Sequence, residues 1–202
     1  VTGCARLYFM GYKNNIIITN EEATPDPVAF KHRRFMYADS SFLPLMQYPM
    51  IAGDAKTALA EPFSAVVSEK YARMYFGNED PLGKVIEVDT YGDMKVTGIL
   101  KDIPSNAHFH FDFLVSYRVQ PGNSPQLTNW NNYNDFTYVK LKQGANTAAL
   151  VKKIQALNDR NVEKSSSVFY VQPITSIHLT SNLKWELEPN GEKQHVYIFT
   201  LV

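Results

Sequence analysis

Three residues of one short stretch carry the side chains best suited to hold a metal: His108, His110 and Asp112. At alternate positions of a β-strand they would share one face, and two imidazoles with a carboxylate accept a divalent cation. The same alternation sets Phe109, Phe111 and Phe113 on the other face. The triplet therefore reads equally as the solvent side of a strand whose aromatics face a core. His32, His178 and His195 are isolated along the chain and stand in no ligand spacing. Nucleophiles are as sparse. There is no Gly-x-Ser-x-Gly elbow, and Ser64 and Ser68 lie beside a helix start, where capping accounts for a serine. Cys4, the single cysteine, cannot close an internal disulfide or build a thiolate zinc cage, and it reads as a small apolar filler of a terminal strand. The glycines are scattered, with Gly77 and Gly83 flanking a turn and forming no phosphate loop. No catalytic, cofactor-binding or metal residue is assigned, and the chain is read as a non-enzyme without a cofactor.

Binding surfaces offer more. Trp130, Tyr133, Phe136 and Tyr138 are interleaved with Asn129, Asn131, Asn132 and Asn134. Aromatic faces stack on sugar rings while amides bond hydroxyls, so a glycan- or peptide-binding module is one reading. The other is that Phe136 and Tyr138 begin a strand and Trp130 packs under its own loop. Lys31-His32-Arg33-Arg34, balanced by Glu21, Glu22 and Asp26, reads as a solvated turn. Twenty basic residues against twenty acidic ones leave no net charge, which argues against a nucleic-acid partner. A length of 202 residues with 45% hydrophobic side chains fits one domain or two small lobes with an ordinary core.

The elements that must position these residues are mixed. Ala5–Met10 and Ile16–Thr19, separated by Lys13-Asn14-Asn15, predict a hairpin. Phe35–Ala38 predicts a strand, with Asp39 as N-cap of a short helix carrying Phe42, Leu45 and Met46. Phe63–Val67 predicts a strand leading to Ser68, the cap of a helix through Phe76 that ends at Gly77. Val85–Val88 and Met94–Leu100, around Tyr91-Gly92-Asp93, predict a second hairpin. A strand over Phe136–Leu141 precedes a helix opened by Ala145-Asn146-Thr147. Leu150, Val151, Ile154 and Leu157 form its apolar stripe, with Lys152, Lys153, Gln155 and Asn158 facing out. Val168–Val171 then returns as a strand, a split βαβ pattern, so the fold class is α+β. The apolar run Val196–Val202 is too short to span a bilayer and reads as a buried strand or as the first turns of a membrane helix.

One stretch is more specific than any of these patterns. Glu61-Pro62-Phe63-Ser64-Ala65-Val66-Val67-Ser68-Glu69-Lys70-Tyr71-Ala72, continuing to Asn78-Glu79-Asp80-Pro81-Leu82-Gly83-Lys84, resembles the hallmark of the MacB-like periplasmic core domain of FtsX-related ABC transporter permeases. The resemblance extends through Val96–Asp112, upstream to Ala38–Phe42 and Gly53-Asp54, and downstream over Phe136–Leu157. It implies two lobes: a porter-like one from residues 1–51 plus 135–180, and an inserted, mixed α/β, sabre-like one from 52–134, with 196–202 starting a membrane helix. It further implies an extracytoplasmic domain on the periplasmic side of the bacterial inner membrane. There the domain would couple cytoplasmic ATP hydrolysis to export or signalling by conformational change. The implied partners are the permease's membrane helices, an ATP-binding cassette subunit, a second copy or paralogue, and a periplasmic protein. Within the motif, Gly77, Pro81, Gly83 and Lys84 are read as structural.

Overall fold

The computed structural model describes residues 1–9, 16–23, 25–89, 91–119, 129–179 and 186–188. The run Val196–Val202, His195, Lys13–Asn15 and most of the Gly122–Asn134 loop lie outside them, as does the side chain of His178. Two compact units emerge, one of residues 1–103 with 111–142 and one of 104–110 with the described residues from Gln143 onward.

The first unit is built on one mixed sheet. Its strands are β1 (Gly3–Phe9), β2 (Ile16–Asn20), β3 (Val28–His32), β4 (Phe35–Ala38), β5 (Met50–Ala52), β6 (Ser64–Ser68), β7 (Val85–Val88), β8 (Gly92–Leu100), β9 (Phe113–Ser116) and β10 (Asp135–Lys140). They run in the order β10-β1-β4-β9-β6-β8-β7-β2-β3, with β5 added to β8. Burial along each strand follows this order. β4, β6 and β9 are covered along their whole length, with unbroken apolar stretches bounded by buried serines in β6 and β9, as befits strands buried on both faces. β2 and β7 alternate, because only one of their faces meets the core. β4 pairs parallel with β9 and β6 parallel with β8, while β6 and β9 pair antiparallel. Strands from residues 1–51 and from 52–134 are thus interleaved: β4 lies against β9, and β2 against β7.

The predicted hairpin β7–β8 forms, turning at Gly92 with φ +79°. The predicted hairpin of β1 with β2 does not. β1 pairs with β10 and β4, β2 pairs with β3 and β7, and β4, β9, β6, β8 and β7 stand between them. Alternation told each strand's buried face but not its neighbour. Gly53 and Gly98 allow the β5 turn to lie directly on β8. A Cβ on Gly53, at φ +84°, would stand 2.5 Å from the Thr97 carbonyl oxygen, and one on Gly98 would stand 2.6 Å from Met50 Cε.

Among the described residues two helices accompany this sheet. α1 (Phe42–Met46) starts at Ser41 and not at Asp39. The Asp39 carboxylate is instead turned to Arg6, whose backbone N–H donates at 2.8 Å and whose Nε donates at 3.1 Å. α2 (Glu69–Phe76) begins after Ser68 and closes on Gly77, as predicted.

In the second unit, α3 (Thr147–Asn161) is capped by Asn146, whose side chain accepts from the Ala149 N–H at 2.9 Å. Its covered face is rotated from the predicted one. Leu157 is 47% exposed, while Asn158 is buried and donates to Ser165 Oγ at 2.8 Å. Residues 168–171 form no strand. Val168 is 83% exposed and Tyr170 is 67% exposed. The side chain of Gln155 substitutes for a strand partner here. Its Nε2 donates to the Ser167 carbonyl at 3.0 Å, and its Oε1 accepts from the Phe169 N–H at 3.3 Å. No described helix is long and apolar enough to cross a membrane.

Candidate functional site

The segment from Glu61 to Asp112 is held by its own polar residues. β6 delivers the chain to α2, whose first N–H groups have no intrahelical acceptors. Ser68 occupies the cap position, yet its side chain makes no capping bond. Asp102, from beyond β8, supplies the acceptor instead, taking the Lys70 N–H at 3.0 Å. The Ser68 N–H donates to the Asp112 carbonyl at 3.1 Å. Glu69 and Arg73 pair one turn apart on the exposed side. Gly77, at φ +59°, ends the helix with its N–H on the Arg73 carbonyl.

In the turn that follows, Asp80 Oδ1 accepts from the Leu82 N–H at 3.0 Å, a side-chain mimic of a backbone turn. The Gly83 N–H and the Lys84 carbonyl both bond Val96, stitching the turn to β8. Lys84 pairs with Glu79 and extends over the ring of Phe76, 5.7 Å from its centre. Glu79, Asp80 and Lys84 of this motif are thereby occupied in joining a helix, a turn and a hairpin.

A second set of contacts fixes the turn at Asp54–Ala60. Its last three carbonyls each receive a side-chain donor from a different element. Thr97 Oγ1 of β8 donates to Ala58 at 2.6 Å, Ser116 Oγ of β9 to Leu59 at 3.1 Å, and Arg118 of the following 3-10 turn to Ala60 at 2.8 Å. None of these pairings has a sequence signature, because the partners lie some 39 to 58 positions apart.

The profile of the MacB-like periplasmic core domain family matches residues 15–157. This chain belongs to that family. Among solved structures it is similar to a domain of a Porphyromonas gingivalis protein described as a permease. The identity is 24% and the TM-score 0.64, covering 81% of this chain and 71% of that one. It is also similar to the periplasmic region of MacB from Actinobacillus actinomycetemcomitans. Here the identity is 12% and the TM-score 0.51, covering 79% of this chain and 86% of that one. At these identities both likenesses speak for the shared α+β fold. No curated protein sequence matches the chain.

In this MacB-like domain the residues singled out for chemistry are dispersed. His108, His110 and Asp112 do not line one strand face, because β9 begins only at Phe113. His110 faces two acceptors, the Glu188 carboxylate 2.7 Å from Nδ1 and the Pro104 carbonyl 3.1 Å from Nε2. Asp112 faces His32 across 3.8 Å. Among the described residues no three His, Cys, Asp or Glu side chains converge as a metal site. The burial of Phe109, Phe111 and Phe113 does follow the predicted alternation.

The sequence predicts a solvated basic turn at His32, and the structure corrects this. His32 is the last residue of β3 and is 2% exposed, whereas Lys31 beside it is open to solvent. It sits in an aromatic and polar cluster that sequence reasoning missed. Tyr75 donates its hydroxyl proton to the Ile18 carbonyl at 2.9 Å, and Asn20 Nδ2 donates to the Tyr75 carbonyl at 2.9 Å. Burial pushes the Tyr75 phenol up. The one available signal was period-two spacing through Val28, Phe30 and His32, diluted by the charges on either side.

The aromatics proposed to stack on sugars divide as well. Trp130 and Tyr133 are half-exposed, but Tyr138 of β10 packs against Phe42 with ring centres 6.1 Å apart. The N-terminal strand, outside the matched residues, adds a polar cluster of its own. Arg6 grips Asp39, lies 4.5 Å from the ring centre of Tyr117, and Tyr117 donates to Asp135 at 2.6 Å. Burial, above all, raises the Asp135 carboxyl, against the Tyr117 hydrogen bond that lowers it.

Proposed function

We propose that this MacB-like domain is the extracytoplasmic part of an ABC transporter permease, moved by membrane helices that a cytoplasmic ATP-binding cassette drives. The family match over residues 15–157 carries the reading. The domain's contribution is mechanical. A sheet in which β4, β6 and β9 are buried throughout moves as one body, so a displacement at its ends reaches the periplasmic surface undiminished. Two copies, or this chain and a paralogue, would reorient together and expel or signal to a periplasmic partner.

The test is a distance measurement in the intact transporter, reconstituted with its cassette in lipid. A spin label replaces Glu87, exposed on β7, in both copies. The reading expects the label-to-label distance to change between nucleotide-free and ATP-bound states. An unchanged distance during active ATP turnover would refute it.

A further inference from the structure

His32 has a place in the fold that neither the motif nor the family accounts for. It is the end of β3, and three elements close around it. From α2 come Tyr71, edge-on with ring centres 4.7 Å apart, and Tyr75 at 5.8 Å. From β9 comes Phe113, at 4.6 Å. From the residue before β9 comes the carboxylate of Asp112. Arg33 and Arg34 follow directly in the chain, and the Arg34 carbonyl accepts the N–H of Asp112 at 2.8 Å. Among the described residues the titratable groups facing the ring are therefore Tyr71, Tyr75 and Asp112.

The hydrogen bonds assign the proton on this ring. Tyr75 has one hydroxyl proton and gives it to the Ile18 carbonyl, so at the 2.7 Å contact it is His32 Nε2 that donates to the Tyr75 oxygen. Nδ1 of the neutral ring is then a bare lone pair. It is buried, has no hydrogen-bond partner, and faces Asp112 Oδ2 at 3.8 Å, beyond hydrogen-bond length. Two acceptors look at each other across that gap. A proton on Nδ1 converts the pair into a charge-assisted N–H···O contact.

We propose that His32 and Asp112 form a proton-operated latch: protonation at Nδ1 draws the Asp112 carboxylate onto the ring and tightens the junction between the start of α2 and the start of β9. Asp112 is suited to transmit this. Its carbonyl holds the Ser68 N–H at the start of α2, and its N–H is held by the Arg34 carbonyl. If the domain lies outside the cytoplasm as proposed above, the latch follows the pH of the medium; the contact itself does not depend on that placement.

Nuclear magnetic resonance of the 15N-labelled 202-residue chain, from about pH 8 to about pH 5, tests this over the range where histidines titrate. At the alkaline end the His32 ring is expected as the Nε2–H tautomer. As the pH falls, the amide signals of Ser68 and Asp112 should shift with the midpoint of the ring. In Asp112→Asn the ring should still titrate while the coupled Ser68 shift is lost. An Nδ1–H tautomer at the alkaline end would overturn the proposal in the unmodified chain, whatever the fate of the variant. So would Ser68 and Asp112 amides that stay still as the ring titrates, or a Ser68 response that survives in Asp112→Asn.

Discussion

The two compact units satisfy their backbones by different means. In the sheet unit, strand pairs do the work: β6 alone is bonded on one side to β8 and on the other to β9, with Ala65, Val66 and Val67 fully covered. In the helix unit, side-chain amides substitute for strands. Asn146 caps α3, Asn158 holds Ser165, and Gln155 offers one donor and one acceptor to the extended stretch at 167–169. A ladder is cooperative, since each bond rests on its neighbours, whereas a single amide supports only the residues it touches. Stability in the first unit should therefore be global and in the second local.

Breaking the first unit at its centre gives the largest expected effect. Phe113 is fully buried against His32, Tyr71 and Tyr75, so Phe113→Ala should cost about 3–5 kcal/mol in urea unfolding followed by fluorescence. Overpacking the same sheet is the next step down. Gly98→Val places new atoms on Met50 Cε and Val66 Cγ2 and should cost about 1–3 kcal/mol by the same measurement. In the helix unit, Asn146→Ala should remove about 1 kcal/mol, read as faster amide hydrogen exchange confined to the first turn of α3.

Smaller still, Gln155→Ala should speed exchange at the Phe169 amide and leave the amides of β6 and β9 unchanged. If those sheet amides accelerate together with Phe169, the contrast between global and local stability fails. The last effect is a slope. The Asp135 carboxyl is raised on folding, so its contribution to stability is present at acid pH and is lost as pH rises through the carboxylate range. Asp135→Asn keeps an acceptor for Tyr117 but cannot ionise. The stability of the natural chain relative to this variant should decline in chemical denaturation as the pH rises above the ordinary aspartate range.

Local rules were legible where one segment contains its own cause. Asn146 as a cap, Gly77 as a helix stop, and the β7–β8 hairpin around Gly92 all follow from neighbours within a few positions. The motif around Asn78–Lys84 was legible for the same reason. What stayed hidden depends on distant partners. Nothing near β1 says that it pairs with β10, more than a hundred residues onward, and nothing near Ser68 says that Asp102 will take over its capping role. The α3 stripe was misjudged at its C-terminal end because Asn158 is polar, yet Ser165 offers it a buried partner that an apolar count cannot register. His32 escaped notice because Lys31, Arg33 and Arg34 gave its segment the look of a surface turn.

The turn at Asp54–Ala60 gains a mechanical meaning from its three captured carbonyls. Thr97 stands on β8 and Ser116 on β9, the strands on either side of β6. Sliding β8 lengthwise against β9 would have to tear the bonds to Ala58 and Leu59 in opposite directions. The turn thus acts as a rivet against shear across the middle of the sheet, and a load applied along one strand is passed sideways to the next before any strand can slip.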